Sequence, residues 1–480
     1  MIRTKLFVTD KVRMTIGQLV ECLVGKTAAL QGMDADGTAF EEYDLESIKN
    51  KLEELGYDRN GYEYLYNGMT GEKMKVAIFI GPTYYQRLKH LVEDKLHCLT
   101  MDHEVLTYDG WKTYDKLKMS DKIATLVDGE LQYVKPIDIF YFPNFNKELY
   151  HIKSQQVDLT VTMNHRMYVA TSKGAGKFED FDLIKASEIV GKHVKYQKNA
   201  KWHNDDYQFV LPGIQCNNGV NYPDKNLNMD AWLKFFGIWM AEGWTTISKD
   251  HRYPNSNSHK VQICQCKPRV QKILNGIMTD FGFHYNQIKD KFTINHKQLY
   301  EYMSKLSVGA PHKQLPEWVW KLSTRQCKIL LENMIIGDGS IQRNTSRYYT
   351  SSIKLADDVM RLALHCGWSS NKLLHCKAGN VCYIKGKKVT SNYDMWILTI
   401  NKCKNTPSVN HSHVKEQNIQ VEEVYKSKEP VFCLEVPSEV FYVRRNGKAV
   451  WTGNSRSRGP TTSLTRQAPE GTVRIHIYYF

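Results

Sequence analysis

The feature that most limits how this chain can fold is a block of 357 residues, from Cys98 to Asn454, whose charge differs from that of its flanks. Residues 1–97 carry 13 Lys+Arg against 15 Asp+Glu, and residues 455–480 carry 4 against 1. The block between them carries 48 against 35, nearly the whole of the formal charge of +14. A chain of 480 residues exceeds one hydrophobic core, so the break reads as a basic insert within a nearly neutral host. Hydrophobic residues at 42% exclude global disorder. No run of about 18 apolar residues offers a membrane helix, and the start shows no secretory signal. Eleven Cys without a tight framework fit reduced thiols. The positive surplus suggests an anionic partner, nucleic acid first.

The first flank has ordinary punctuation. Thr15 and Gln18 make a capping box for a helix with Leu19, Leu23 and Val24 on its apolar face and Gly25 as its stop. Leu45, Ile48, Leu52 and Leu55 repeat at helical spacing between Asp44 and Gly56. Tyr66-Asn67-Gly68 reads as a turn, and Val76-Ala77-Ile78-Phe79-Ile80 as a short buried strand before Gly81-Pro82. The run from Thr83 to His97 reads physically as an amphipathic surface helix.

The wording of these flanks says more. Arg13-Met14-Thr15-Ile16-Gly17, Leu65-Tyr66-Asn67-Gly68-Met69-Thr70-Gly71 and Gly81-Pro82-Thr83-Tyr84-Tyr85-Gln86-Arg87-Leu88-Lys89-His90 resemble the second-largest subunit of DNA-directed RNA polymerase II and its viral relatives. In that family the text after Asp-Lys-x-His continues into Ser-Arg-x-Arg-Gly-Pro. Here that continuation stands at Ser455-Arg456-Ser457-Arg458-Gly459-Pro460, so the host text is interrupted between His97 and Ser455. The resemblance covers residues 12–97 and 455–471 and stops before Thr472. It implies that Lys89 and Lys95 approach phosphates of an RNA–DNA hybrid, that other polymerase subunits are partners, and that this chain alone does not synthesise RNA.

The edges of the block carry the residue types that self-excision needs. Cys98 can attack the preceding carbonyl, Asn454 can cyclise onto its own carbonyl, and Ser455 can accept the acyl group. Cys98-Leu99-Thr100 onward and Val161-Thr162-Met163-Asn164-His165 resemble the first two splicing blocks of inteins. Residues 430–437 and 441–455 resemble the closing blocks. That resemblance implies that His165 assists at the amide between His97 and Cys98, and that Thr162 holds that peptide distorted or orients His165. It implies a thioester on Cys98, a branched ester on Ser455, cyclisation of Asn454, and ligation of His97 to Ser455, with no cofactor for splicing. Gly453 and Val440 stand where many inteins carry His, so cyclisation is expected to be slow or to be assisted by another group. Cys433 stands where Asp is common, and an Asp or Cys there helps couple the steps.

Within the block, two apolar helical runs end alike, in a small residue, an acid and Gly: Phe235 to Gly243, with Glu242, and Leu331 to Gly339, with Asp338. Gly237 and Ala241 would let two helices approach closely, and Asn333 would loosen that contact. Paired helices bring the two carboxylates together, where Mg²⁺ can hold them and assist phosphodiester cleavage. The runs resemble the LAGLIDADG homing endonucleases found within inteins. The resemblance makes Lys313 a catalytic lysine or a phosphate contact, with Lys402 or Lys404 as its counterpart. Cys264, Cys266, Cys366, Cys376 and Cys382 lack the paired spacing of a zinc site.

The resulting expectation is multidomain: an all-β Hedgehog/intein (Hint) horseshoe split by an α/β LAGLIDADG endonuclease and flanked by α+β polymerase fragments. Its segments are 1–97 (host), 98–220 (splicing), 221–410 (endonuclease), 411–454 (splicing) and 455–480 (host). The expected DNA target is double-stranded, the uninterrupted polymerase gene. The expected location is cytoplasmic or nuclear, or a viral factory, without secretion or membrane attachment. The alternatives are a splicing-defective relic that still binds or cuts DNA, and a purely structural polymerase segment.

Overall fold

The computed structural model describes residues 16–35, 44–83, 97–174, 176–216, 219–249, 257–384, 387–410 and 420–454. The chain divides into two compact units, Met1–Leu91 and Val92–Phe480. Ser455, Lys89 and Lys95 lie outside the described residues, as does most of the helix expected over 83–97.

In the first unit, helix Ile16–Gln31 runs through Gly25, which is not a stop. A Cβ there would sit 2.6 Å from the Pro82 carbonyl oxygen, so Gly25 is required by a close backbone approach. Helix Leu45–Glu54 starts where Asp44 accepts a hydrogen bond from the Ser47 N–H, and buries Leu52. Strands Tyr62–Tyr66 and Lys73–Phe79 pair as an antiparallel hairpin. The expected strand Val76 to Ile80 is half-buried rather than buried: Val76 is 61% exposed and Ala77 to Ile80 are intermediate, with Tyr64 and Tyr66 exposed beside it.

The second unit corrects the expected architecture. It is α+β, and the separation into an all-β horseshoe and an α/β domain is not what is found. A ten-stranded sheet takes strands from both supposed parts. Its path runs Gly339–Ile341, Thr345–Thr350, Met395–Asn401, Ser369–Cys376, Lys448–Gly453, Val440–Arg445, Glu104–Thr107, Ile123–Val127 and Glu130–Val134, with Gly110–Thr113 on Glu104–Thr107. The seam is the pair Asn371–Lys448. The core is shared too: Leu106, Leu126, Trp232, Leu330, Tyr442 and Trp451 belong to one buried cluster. Buried Arg444 fastens the seam, donating to Glu104 at 2.6 Å and to Asp357 at 2.5 Å. A partition read from motif order could not anticipate a strand pair that joins residues far apart in the chain.

Residues 229–401 contain a structural repeat. Helix Met229–Glu242 leads into strands Gly243–Lys249 and Asn257–Cys264, helix Pro268–Phe281, and strands Tyr285–Ile288 and Lys291–Asn295. Helix Thr324–Asp338 leads into Gly339–Ile341 and Thr345–Thr350, helix Ile353–His365, and strands Ser369–Cys376 and Met395–Asn401. Numbered along the chain, the strands of each copy lie in the same order, 1-2-4-3. The first helix of each copy packs on that of the other. A Cβ on Gly237 would be 2.8 Å from the Leu330 carbonyl oxygen, and one on Gly337 would be 2.4 Å from Ala241 Cβ. Asn333 does not loosen this contact: its Cβ lies against Gly237, and its amide donates back to the Ile329 carbonyl at 2.8 Å.

Candidate functional site

Cys98 is placed by strand register. Strand Leu99–Thr100 lies between Asp158–Thr162 and Val431–Glu435, with Leu99 opposite both Val161 and Phe432. The next position back sets Cys98 against Thr162 on one side and Cys433 on the other. The Cys98 N–H donates to Thr162 Oγ1 at 3.0 Å, and the Thr162 N–H donates to the Cys98 carbonyl at 3.0 Å. The expectation of wholly reduced thiols is corrected here: fully buried Cys98 is disulfide-bonded to Cys433. Two buried sulfurs on facing residues of paired strands stand within bridging range, with a Cα separation of 4.5 Å. Cys264, Cys266, Cys366 and Cys376 are free, Cys266 being exposed rather than in the core, and no metal-holding cluster occurs among the described residues.

The turn after Thr162 carries the next groups. The His165 N–H donates to the Thr162 carbonyl at 2.9 Å, and its ring Nε2 is 2.7 Å from Thr452 Oγ1. Burial pushes the His165 imidazole down to about 3, helped by the neighbouring imidazoles of His97 and His103 and by the Arg166 guanidinium, while the His97 backbone opposes the shift. The ring is therefore neutral near pH 7. His97 is also pushed down, to about 4, by burial and then by Arg166.

Asn454 is buried at the end of strand Lys448–Gly453. Its N–H donates to the Glu439 carbonyl at 2.8 Å, and its side-chain Nδ2 donates to the Val436 carbonyl at 2.7 Å. Sequence reasoning missed Arg166. This guanidinium donates to Asn454 Oδ1 at 2.8 Å and to the Asn454 carbonyl oxygen at 3.2 and 3.3 Å. It is oriented by Glu439 at 2.9 Å. Glu439 has a left-handed φ of +63°, in the tight turn before strand Val440–Arg445. Val440 is buried. The only sequence signal for Arg166 was its position next to His165.

The acids occupy a second place, the helix ends of the repeat. Glu242 and Asp338 are each the last residue of their helix. Burial pushes the Asp338 carboxyl up, and burial and then Asp338 push Glu242 up. Lys313 lies beside both and donates to the Met240 and Ala241 carbonyls at 2.7 and 2.9 Å, satisfying the end of the first helix. Its counterpart is neither Lys402 nor Lys404. Lys402 pairs with Glu332 at 2.8 Å, and Lys404 lines a cleft with Asn344 and Thr406. Lys267 takes that place: it donates to the Gly337 carbonyl at 3.4 Å and acts on both acids. Its position before Pro268, far from either acid in sequence, concealed it.

Residues 12–103 match the protein family described as RNA polymerase Rpb2, domain 6. A relative from Stigeoclonium helveticum, a DNA-directed RNA polymerase subunit beta C-terminal section, is 41% identical over 512 residues, covering 96% of this chain and 47% of that protein. An ATP-dependent Clp protease proteolytic subunit from Chlamydomonas moewusii is 31% identical over 486 residues, covering 80% of this chain and 48% of its own length. DNA-directed RNA polymerase subunit 2 of Acanthamoeba polyphaga mimivirus is 56% identical over 85 residues, 18% of this chain and 7% of that protein. The chain thus spans about half the length of the first two relatives. Residues 12–103 are therefore a segment of the RNA polymerase second-largest-subunit (beta, Rpb2) type.

Proposed function

We propose that residues 98–454 are an intein, which excises itself from this polymerase segment and joins His97 to Ser455. The observation that carries this reading is the turn 162–166, whose residues reach both edges of the block. Thr162 bonds Cys98, His165 lies against the His97 backbone and bonds Thr452, and Arg166 bonds Asn454. The relatives are compatible with such an element: the chain matches a polymerase beta section over 96% of its length and a Clp protease subunit over 80%, two proteins of different names.

In this reading the chemistry begins once the Cys98–Cys433 bond is reduced. The Cys98 sulfur attacks the His97 carbonyl, and the released Cys98 amine takes a proton, a transfer that a neutral His165 is positioned to assist. The Ser455 hydroxyl then attacks the thioester and frees the Cys98 thiol. Asn454 Nδ2 attacks its own carbonyl, breaking the bond to Ser455 and leaving a cyclic imide. The freed Ser455 amine finally attacks its ester, giving the His97–Ser455 peptide bond.

We propose further that the helix-end acids form a LAGLIDADG-type endonuclease centre. Two oxygen ligands whose charges oppose each other, beside helix C-termini, fit a divalent cation. Glu242 and Asp338 would hold Mg²⁺, which would supply charge for water activation and the leaving oxygen. Lys313 and Lys267 offset the buried negative charge and leave the carboxylates ready to bind. The target in this reading is double-stranded DNA of the uninterrupted gene. The spliced host would join other polymerase subunits and the RNA–DNA hybrid, for which the exposed hairpin 62–79 offers an apolar surface and Lys89 and Lys95 the phosphate contacts. In this reading the protein works in the nucleus, the cytoplasm or a viral factory. Fresh expression tests the reading: splicing yields a 357-residue and a 123-residue product, whereas persistence of the 55.7 kDa chain under reduction refutes it.

A further inference from the structure

We propose that Arg166 is a catalytic residue for Asn454 cyclisation and fills the role left open by Gly453. The inference rests on the splicing reading and names the group that drives its third step. A penultimate His cannot be accommodated: a Cβ on Gly453 would lie 2.4 Å from the Arg166 carbonyl oxygen and 2.6 Å from Leu183 Cδ2. Glycine is thus required because the backbone of residue 166 runs through that space, and the same residue sends its guanidinium to the reacting Asn454.

The contacts suit the step. Arg166 only donates, so the Asn454 atom it meets at 2.8 Å is the amide oxygen, which leaves Nδ2 directed at the Val436 carbonyl. Holding Oδ1 favours the imidate that forms as Nδ2 loses a proton. Holding the backbone oxygen favours the oxyanion that forms as Nδ2 bonds to the Asn454 carbonyl carbon. When that intermediate collapses, the C–N bond to residue 455 breaks, and the nitrogen leaves as an amine carrying the proton. Glu439 is the positioning residue: it fixes the guanidinium at 2.9 Å and accepts the Asn454 N–H on its carbonyl.

The test uses the full chain under reductant, with Arg166→Gln, Arg166→Lys and Glu439→Gln. Cleavage by hydroxylamine reads the thioester, and the mass of the released block, one water below the hydrolysed form, reads the imide. Arg166→Gln should slow imide release by about 10²-fold, the typical effect of losing one oxyanion donor, and accumulate the branched ester. Arg166→Lys should recover part of the rate, and the thioester should form normally in every variant, which reports an intact fold. Imide release at the wild-type rate in Arg166→Gln overturns the role of Arg166 while leaving splicing intact. No ligation by the wild-type chain overturns the splicing reading itself. Loss of thioester in both Arg166 variants assigns Arg166 to the fold and also overturns the proposal.

Discussion

Removing the sulfur at position 433 should uncouple excision from reduction. The Cys98–Cys433 bond closes a separation of 335 residues, for which chain entropy alone gives about 6 kcal/mol. Native disulfides commonly deliver about 2–5 kcal/mol of this. For a unit the size of Val92–Phe480, the usual unfolding entropy per residue turns that range into about 2–6 °C of Tm. Cys98→Ala, which lacks both bond and nucleophile, should therefore melt about 2–6 °C below the oxidised wild type without processing. Cys433→Ala should begin processing with no reductant, whereas the wild type prepared without reductant should stay intact until a dithiol is added. Non-reducing gels and thiol titration follow both arms. Equal rates with and without reductant, together with an unchanged Tm for Cys98→Ala, would show that this bond neither stabilises the fold nor gates excision.

Other perturbations separate the two chemistries. Asn454→Ala should form the thioester and a branched or cleaved species on a gel, and ligated host product from this variant removes Asn454 from the mechanism. Glu242→Gln and Asp338→Asn should each abolish cleavage of DNA bearing the uninterrupted gene and leave splicing unchanged. Because the carboxyls of Glu242 and Asp338 are held above their ordinary range by burial, neutral replacements should also raise Tm near pH 7. Acid should destabilise the fold through His97 and His165, whose folded values near 4 and 3 lie below the ordinary 6.5. The unfolded chain binds those protons first, so stability is full above pH 6.5 and is lost as pH falls toward 4 and 3. A Tm equal at pH 7.5 and 5 in a single buffer series contradicts that assignment.

The parts legible in the sequence were those set by local chemistry. Asp44 and the Leu45-Ile48-Leu52 spacing mark a helix that forms where read, and the two helices ending in Glu242 and Asp338 lie in contact. The residues quoted for the first two splicing blocks, Cys98, Thr162 and His165, meet because one strand and one turn carry them. What escaped was long-range pairing. The Cys98–Cys433 bond follows from strand register, the shared sheet from Asn371 meeting Lys448, and the meeting of Arg166 with Asn454 from Gly453 packing on the Arg166 backbone. Gly25 was misread because a glycine needed for close packing and one that stops a helix look alike in sequence. Lys267 was missed because helix ends brought together in space can recruit a lysine from any neighbouring loop.

Splicing should join the two host flanks by a new peptide bond between His97 and Ser455. Tandem mass spectrometry of a proteolytic digest, after expression and reduction, reads that junction directly. The expected digest contains a peptide in which Asp94-Lys95-Leu96-His97 continues into Ser455-Arg456. A digest that contains only peptides crossing from His97 into Cys98 and from Asn454 into Ser455 would contradict it.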